Sequence, residues 1–145
     1  LGQQREDKTM GQQQLLLIVL GVIIVGLAVA AAVTLMNSQS SASNRDAVTN
    51  DLLNLSTRAQ QYYRRPRMLG GGGHSFSGLT MTKITTKTSN PNGTYSLSPD
   101  PVAGTPAYIE LVGIGVETGN DGSAPVKVVM KVWPDSAAMD VTHTN

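Results

Sequence analysis

The 145-residue chain has no cysteine, one phenylalanine, one tryptophan and two histidines. The missing cysteines exclude disulfides, thiolate metal sites and a cysteine nucleophile. His74 follows a glycine run and His143 stands near the last residue, so neither suggests a metal or haem ligand set. Aromatics make up 4% of the chain. Tyr62 and Tyr63 alone cannot make a continuous path for electrons. Charge is equally scarce, at 14% of residues against roughly 25% in ordinary soluble domains. The net charge of +1 lacks the basic excess that nucleic acid binding requires. No acid occurs between Asp7 and Asp46. The run Gly70–Gly73 is followed by His-Ser-Phe-Ser, not by Gly-Lys-Ser/Thr and a helix, so it is a flexible connector and not a phosphate loop. The turn residues Ser98-Pro99-Asp100 and Asn120-Asp121-Gly122 do not supply the converging oxygens of a calcium site. Catalytic, cofactor-binding and metal-binding residues are expected to be absent, and no enzymatic activity is expected.

The chain does have one long apolar run, Leu15–Met36, 22 residues without a charge. As a helix this spans about 33 Å, enough for a hydrocarbon core of about 30 Å. A secretory signal would carry an apolar stretch of about 7–15 residues, so a retained helix is the expectation. Beyond it, Val48, Leu52, Leu55, Ala59 and Tyr62 recur at 4-3-4-3 spacing and share one helical face. Arg45, Asp46, Asp51, Asn54 and Arg58 occupy the other. No proline or glycine interrupts residues 28–65, and Pro66 ends the pattern. One helix from about Gln12 to Arg65 would be roughly 80 Å long. Its first half must be buried in lipid or in copies of itself, and its second half needs a partner on one side.

The rest is rich in threonine, valine and glycine and alternates like strands. Thr80–Thr85 and Thr94–Leu97 are strand candidates, with Asn90-Pro91-Asn92-Gly93 a turn before the second. Ala107–Thr118 puts Tyr108, Val112, Ile114 and Val116 on one face, with Glu110 an exception. Gly119-Asn120-Asp121-Gly122 turns the chain. Pro125–Trp133 returns with Val126, Val128, Met130 and Val132 inward and Lys127 and Lys131 outward. The fold class is therefore α+β, a long N-terminal helix packed on a small antiparallel sheet. Four segments follow: residues 1–11, a polar leader or extension; 12–36, the apolar helix; 37–67, its amphipathic continuation; and 68–145, a β-rich head after the glycine connector.

Residues 37–69 carry a net +3 and residues 70–145 a net −2. Arg58, Arg64, Arg65 and Arg67 are solvated cations near a helix end, where the dipole favours them, or contacts to the acidic head of another copy. Asn54 and Asn92 begin glycosylation sequons, and Asn92, on a turn expected to be exposed, is the better candidate for modification.

A polar leader ending Lys8-Thr9-Met10-Gly11, then Gln12-Gln13-Gln14-Leu15-Leu16-Leu17-Ile18-Val19-Leu20, an amphipathic continuation and a small sheet together resemble a type IV pilin-like protein. The resemblance implies cleavage by a prepilin peptidase between Gly11 and Gln12, methylation of the new end, and a filament core built from Leu15, Leu16, Leu17, Ile18, Val19, Leu20, Val22, Ile23, Ile24, Val25 and Leu27. The face made by Val48, Leu52, Leu55, Ala59 and Tyr62 is, by its spacing, the helix-to-head packing set. The family usually carries a glutamate five residues after the cut; here that position is Leu16, and Gln12, Gln13 and Gln14 are candidates to bond neighbouring helix ends instead. Leu1 in place of methionine leaves a second expectation, that Leu1 is itself a processed end. The expected function is a structural subunit of an extracellular pilus-like filament for surface attachment or motility. Its partners would be copies of itself, the membrane before assembly, the assembly machinery and the peptidase, with no nucleic acid as primary partner. Its place would be the cytoplasmic membrane and then the cell surface. A pseudopilin of a type II-like secretion machine and a single-pass anchored extracytoplasmic binding module are the alternatives.

Overall fold

The computed structural model describes residues 2–119 and 121–140, with side chains from residue 7 onward. Leu1, Asn120 of the predicted turn and His143 lie outside the described residues. The elements are α1 (Gly2–Arg64), a 3-10 turn (Arg67–Leu69), α2 (Met81–Ile84), and strands β1 (Ser89–Asn90), β2 (Gly93–Ser98), β3 (Ile109–Thr118), β4 (Pro125–Val132) and β5 (Ala137–Met139). The fold is α+β. Two compact units divide the chain, Leu1–Gln39 and Ser40–Asn145. The first is helical wherever it is described, and Gly11 sits within α1.

In the second unit the last part of α1 covers one face of a five-stranded antiparallel meander, ordered β1-β2-β3-β4-β5. Val48, Leu52, Leu55, Ala59 and Tyr62 are all buried in its core. From the sheet they meet Tyr95, Leu97, Ile109, Leu111, Val126, Val128, Met130 and Val132. Strand alternation explains the β4 set, since residues two apart share a face.

The face that β3 turns inward differs from its apolar alternation. Tyr108, Val112, Ile114 and Val116 do lie together, but on the open side; Val116 is 63% exposed. The inward residues are Ile109, Leu111, Gly113 and Gly115. The glycines are there because α1 comes so close. A Cβ on Gly113 would stand 2.5 Å from Val48 Cγ1, and one on Gly115 would collide with the Asn44 side chain. Next to Gly115 the β3–β4 register shifts between Ile114 and Thr118. Such an irregularity takes backbone groups out of the ladder. Asn44 Oδ1 accepts the freed Glu117 N–H at 3.3 Å, and its Nδ2 donates to Asn92 O at 2.9 Å.

Two expectations are corrected. Thr80–Thr85 is not a strand, because Met81–Ile84 forms α2. Met81 and Ile84 are three apart and both buried; a helical turn points both at the core, whereas a strand would send them to opposite faces. Nor is the glycine run a loose connector. Gly72 N–H donates to Tyr62 O (2.8 Å), Gly73 N–H to Arg65 O (2.9 Å) and His74 N–H to Tyr63 O (2.8 Å). These bonds satisfy carbonyls that the end of a helix leaves without partners. Gly70 and Gly73 take φ of 74° and 58°, the left-handed region that glycine enters without steric cost. The chain beyond them re-enters the core at Phe76, whose ring lies 4.9 Å from that of Tyr63. Strands β1 and β5, at the two edges, extend the meander beyond the three strands that the sequence pattern foreshadows.

Candidate functional site

Two surfaces stand out, one in each unit. In the first unit the core-helix set from Leu15 to Leu27 is exposed throughout, each side chain between 52% and 69%. Apolar residues surround the helix, so no single face is set aside for one neighbour. Its polar groups are dealt with inside the helix. Thr34 Oγ1 donates to Ala30 O at 3.0 Å and Ser38 Oγ to Thr34 O at 3.1 Å, which suits a segment surrounded by hydrocarbon. α1 is long enough and apolar enough to cross a membrane. Around Gly11, Gly21 and Gly26 nothing in the chain lies within 4 Å of where a Cβ would be. Gln12 is exposed beside Gly11, and Leu16 occupies the fifth position after it.

The second unit carries the arginines, and the structure separates them. Arg58 donates to Ile84 O at 3.3 Å, Arg64 to Pro134 O at 3.5 Å and Arg67 to Gly72 O at 3.3 Å. Arg65 is exposed, without a side-chain hydrogen bond among the described residues. None of the four forms an ion pair among the described residues. Arg58 and Arg65 share a cleft of about 330 Å³ with Lys83, while Arg64 and Arg67 lie outside it.

A polar node that the sequence pattern did not mark fastens α1 to the β1–β2 hairpin. Asp51 Oδ2 accepts from Asn90 Nδ2 (2.8 Å), Asn92 Nδ2 (2.9 Å) and the Tyr95 hydroxyl (2.5 Å). Asn92, the sequon residue, is half-buried with its amide committed to this carboxylate. Burial works to raise the Asp51 pKa, but the three donors outweigh it and hold the carboxyl below its ordinary value of 3.8. Burial and then the adjacent carboxylate push the Tyr95 phenol up. A depressed carboxyl stabilises the fold above its unfolded pKa, and that contribution is lost as pH falls through the folded value. The thermal midpoint of the second unit should therefore drop as pH is lowered from about 5 to below 3. In Asp51→Asn this acid limb should flatten, with a lower midpoint at neutral pH; an unchanged acid limb would remove Asp51 from the account. Tyr95, with its raised pKa, adds stability below pH 10 that is lost as pH rises beyond it.

The open face of the sheet has its own cluster. Lys131 Nζ lies 3.0 Å from Asp140 and 4.0 Å from Glu110. The Tyr108 and Trp133 rings meet at a tilt of 43°, with centroids 5.6 Å apart. The hydrogen bond to Asp140 is the main cause of the raised Lys131 pKa. His74 is an exposed loop residue with φ of 64°, edge-on to Tyr63 at 5.9 Å. No group of three or more histidine, aspartate or glutamate side chains able to hold a metal occurs among the described residues.

Known protein families, curated proteins and solved structures yield no significant match to this chain. The functional reading therefore rests on the two surfaces themselves. Signals for the missed residues were present. Gly113-Ile114-Gly115 is a small-x-small pattern inside a strand, a mark of close backbone approach. Asn44 stands one turn ahead of Val48 on the buried face.

Proposed function

We propose that this chain is the structural subunit of an extracellular filament of the type IV pilin-like class, held in a membrane before assembly through its apolar helix. One observation carries the reading. The same helix is naked and apolar along Leu15–Met36, whereas from Asn44 to Tyr62 its apolar face is covered by its own sheet. The apolar face of the second half already has its partner. The first half needs one on every side, and lipid or a bundle of identical helices supplies it. Repetition of one heterologous contact builds an open helical fibre. In this reading the Gly11–Gln12 bond is the peptidase site, and Gln12, Gln13 and Gln14 serve the helix ends where the family uses a glutamate. The subunit does no chemistry of its own.

A second reading, an anchored module that binds a partner outside the cell, is favoured by the open sheet face with Tyr108, Ile114 and Val116. Electron microscopy of material sheared from producing cells, labelled with an antibody against residues 68–140, separates the two. Uniform labelled fibres are the expected result. Label that stays with the membrane, with no labelled fibre, would transfer the function to the anchored module.

A further inference from the structure

Three cations with no carboxylate between them line one cleft in the second unit. Arg58, Arg65 and Lys83 border the hollow, with Gln61 and Tyr62 among its other walls. Arg58 is held by Ile84 O and Lys83 by Gly78 O at 2.7 Å. Lys83 Nζ also lies 5.3 Å from the centre of the Tyr62 ring. Neutral oxygens and a ring face orient these cations without neutralising them. Like charges gathered around one hollow repel each other, and a carboxylate entering it relieves the repulsion. Asp51 lines the neighbouring hollow together with Arg58, but its Oδ2 is already occupied by three donors.

The other acids of this unit sort by their partners. Glu110 and Asp140 face Lys131. Asp100 accepts from Met81 N–H, Asp121 from Ser123 and Ala124 N–H, and Asp135 from the Ser136 hydroxyl. Asp46 and Glu117 are left exposed with no side-chain partner among the described residues. Asp46 directly follows Arg45. Glu117 stands near the end of β3, where its backbone is tied to Asn44. Asn44 precedes Arg58 by 14 residues and Arg65 by 21, roughly 20–30 Å along a helix. Glu117 and the cleft therefore lie far apart along α1 within the second unit and do not meet in one copy. Two copies arranged head to tail bring them together.

We propose that the cleft formed by Arg58, Arg65 and Lys83 receives the Glu117 carboxylate of a second copy of this chain. The contact is heterologous and does not close, so each copy gives one carboxylate and takes one. The proposal rests on the filament reading and names the charge pair that sets the stagger between successive subunits.

The test uses Arg65→Glu and Glu117→Arg in the full chain, because both side chains are exposed and neither bonds another described residue. Purified chain is brought out of detergent at low salt, and the concentration needed for fibres is measured. Each single reversal should raise that concentration about tenfold, and the double reversal should bring it back to within about threefold of the parent. The parent's own requirement should rise with ionic strength. Single variants that polymerise like the parent, or a double variant no better than the singles, would overturn the pairing while leaving the fibre intact. A parent chain that forms no fibres under any salt overturns the filament reading and this contact with it.

Discussion

Ile24→Asp is expected to remove the chain from the membrane and to abolish fibres, while leaving the head folded. Ile24 sits near the middle of Leu15–Met36 and is 56% exposed, so it contributes to packing outside its own molecule only. A carboxylate at the centre of a membrane-spanning helix costs about 2.5–3.5 kcal/mol, which is on the order of a hundredfold in partitioning. The native sequence keeps this region free of charge across every position between Lys8 and Arg45. Fractionation of cell membranes after a carbonate wash measures the first effect, and fibre yield the second. The melting transition of the second unit should not move, which separates loss of insertion from loss of folding. Ile24→Leu should match the parent in all three measurements. An Ile24→Asp chain that stays in the membrane fraction and polymerises normally would defeat the reading of this run as lipid-facing and self-associating.

The second large effect is expected at Gly113, and it is a coupled one. Gly113→Ala adds a methyl group 2.5 Å from Val48 Cγ1, and valine on a helix has essentially one χ1 rotamer with which to yield. Overpacking of this kind costs about 1–3 kcal/mol. Val48→Ala alone leaves a gap where a fully buried side chain stood, at a cost of about 2 kcal/mol. Together the two substitutions exchange one methyl position for another across the same contact. The double variant should therefore be more stable than the sum of the singles implies, by about 1–2 kcal/mol. Chemical denaturation of the full chain in detergent measures all four corners of the cycle. Strict additivity would mean that Gly113 is small for some reason other than the approach of α1.

This contact also marks where the sequence was legible and where it was not. The helix face Val48, Leu52, Leu55, Ala59 and Tyr62 was readable because helical periodicity and burial are the same fact seen twice. The β4 face was readable for the same reason with a period of two. β3 was not, since its buried face is half glycine and its open face holds the valines and isoleucine, so hydropathy points the wrong way. What decides that strand is the space between backbones, which apolar counting does not see. Thr80–Thr85 failed differently: three threonines favour a strand, but the core recruits Met81 and Ile84 at a spacing of three. The glycine run looked loose because glycine is permissive, yet its N–H groups finish the carbonyls of α1. Of the candidate site, the apolar stem was legible outright. The arginines were legible as a group, but which of them line the cleft depends on the turn after α1, on α2 and on the segment after β4, none of which helical spacing marks.

The glycine cap has a mechanical consequence. A free tether at Arg65 would let the sheet swing about the stem and peel off it one contact at a time under load. With Tyr62, Tyr63 and Arg65 each gripped by the loop, the far end of the stem is closed. Gln60 is clamped to Trp133 and Ser136, Asp51 to the first hairpin, Asn44 to the end of β3, and the Ser41 hydroxyl to Thr118 O. These attachments are spread over more than six turns of the same helix and run sideways to its axis. A pull along the stem therefore strains them in shear and all at once, so the head resists tension as a sleeve clamped to a rod does.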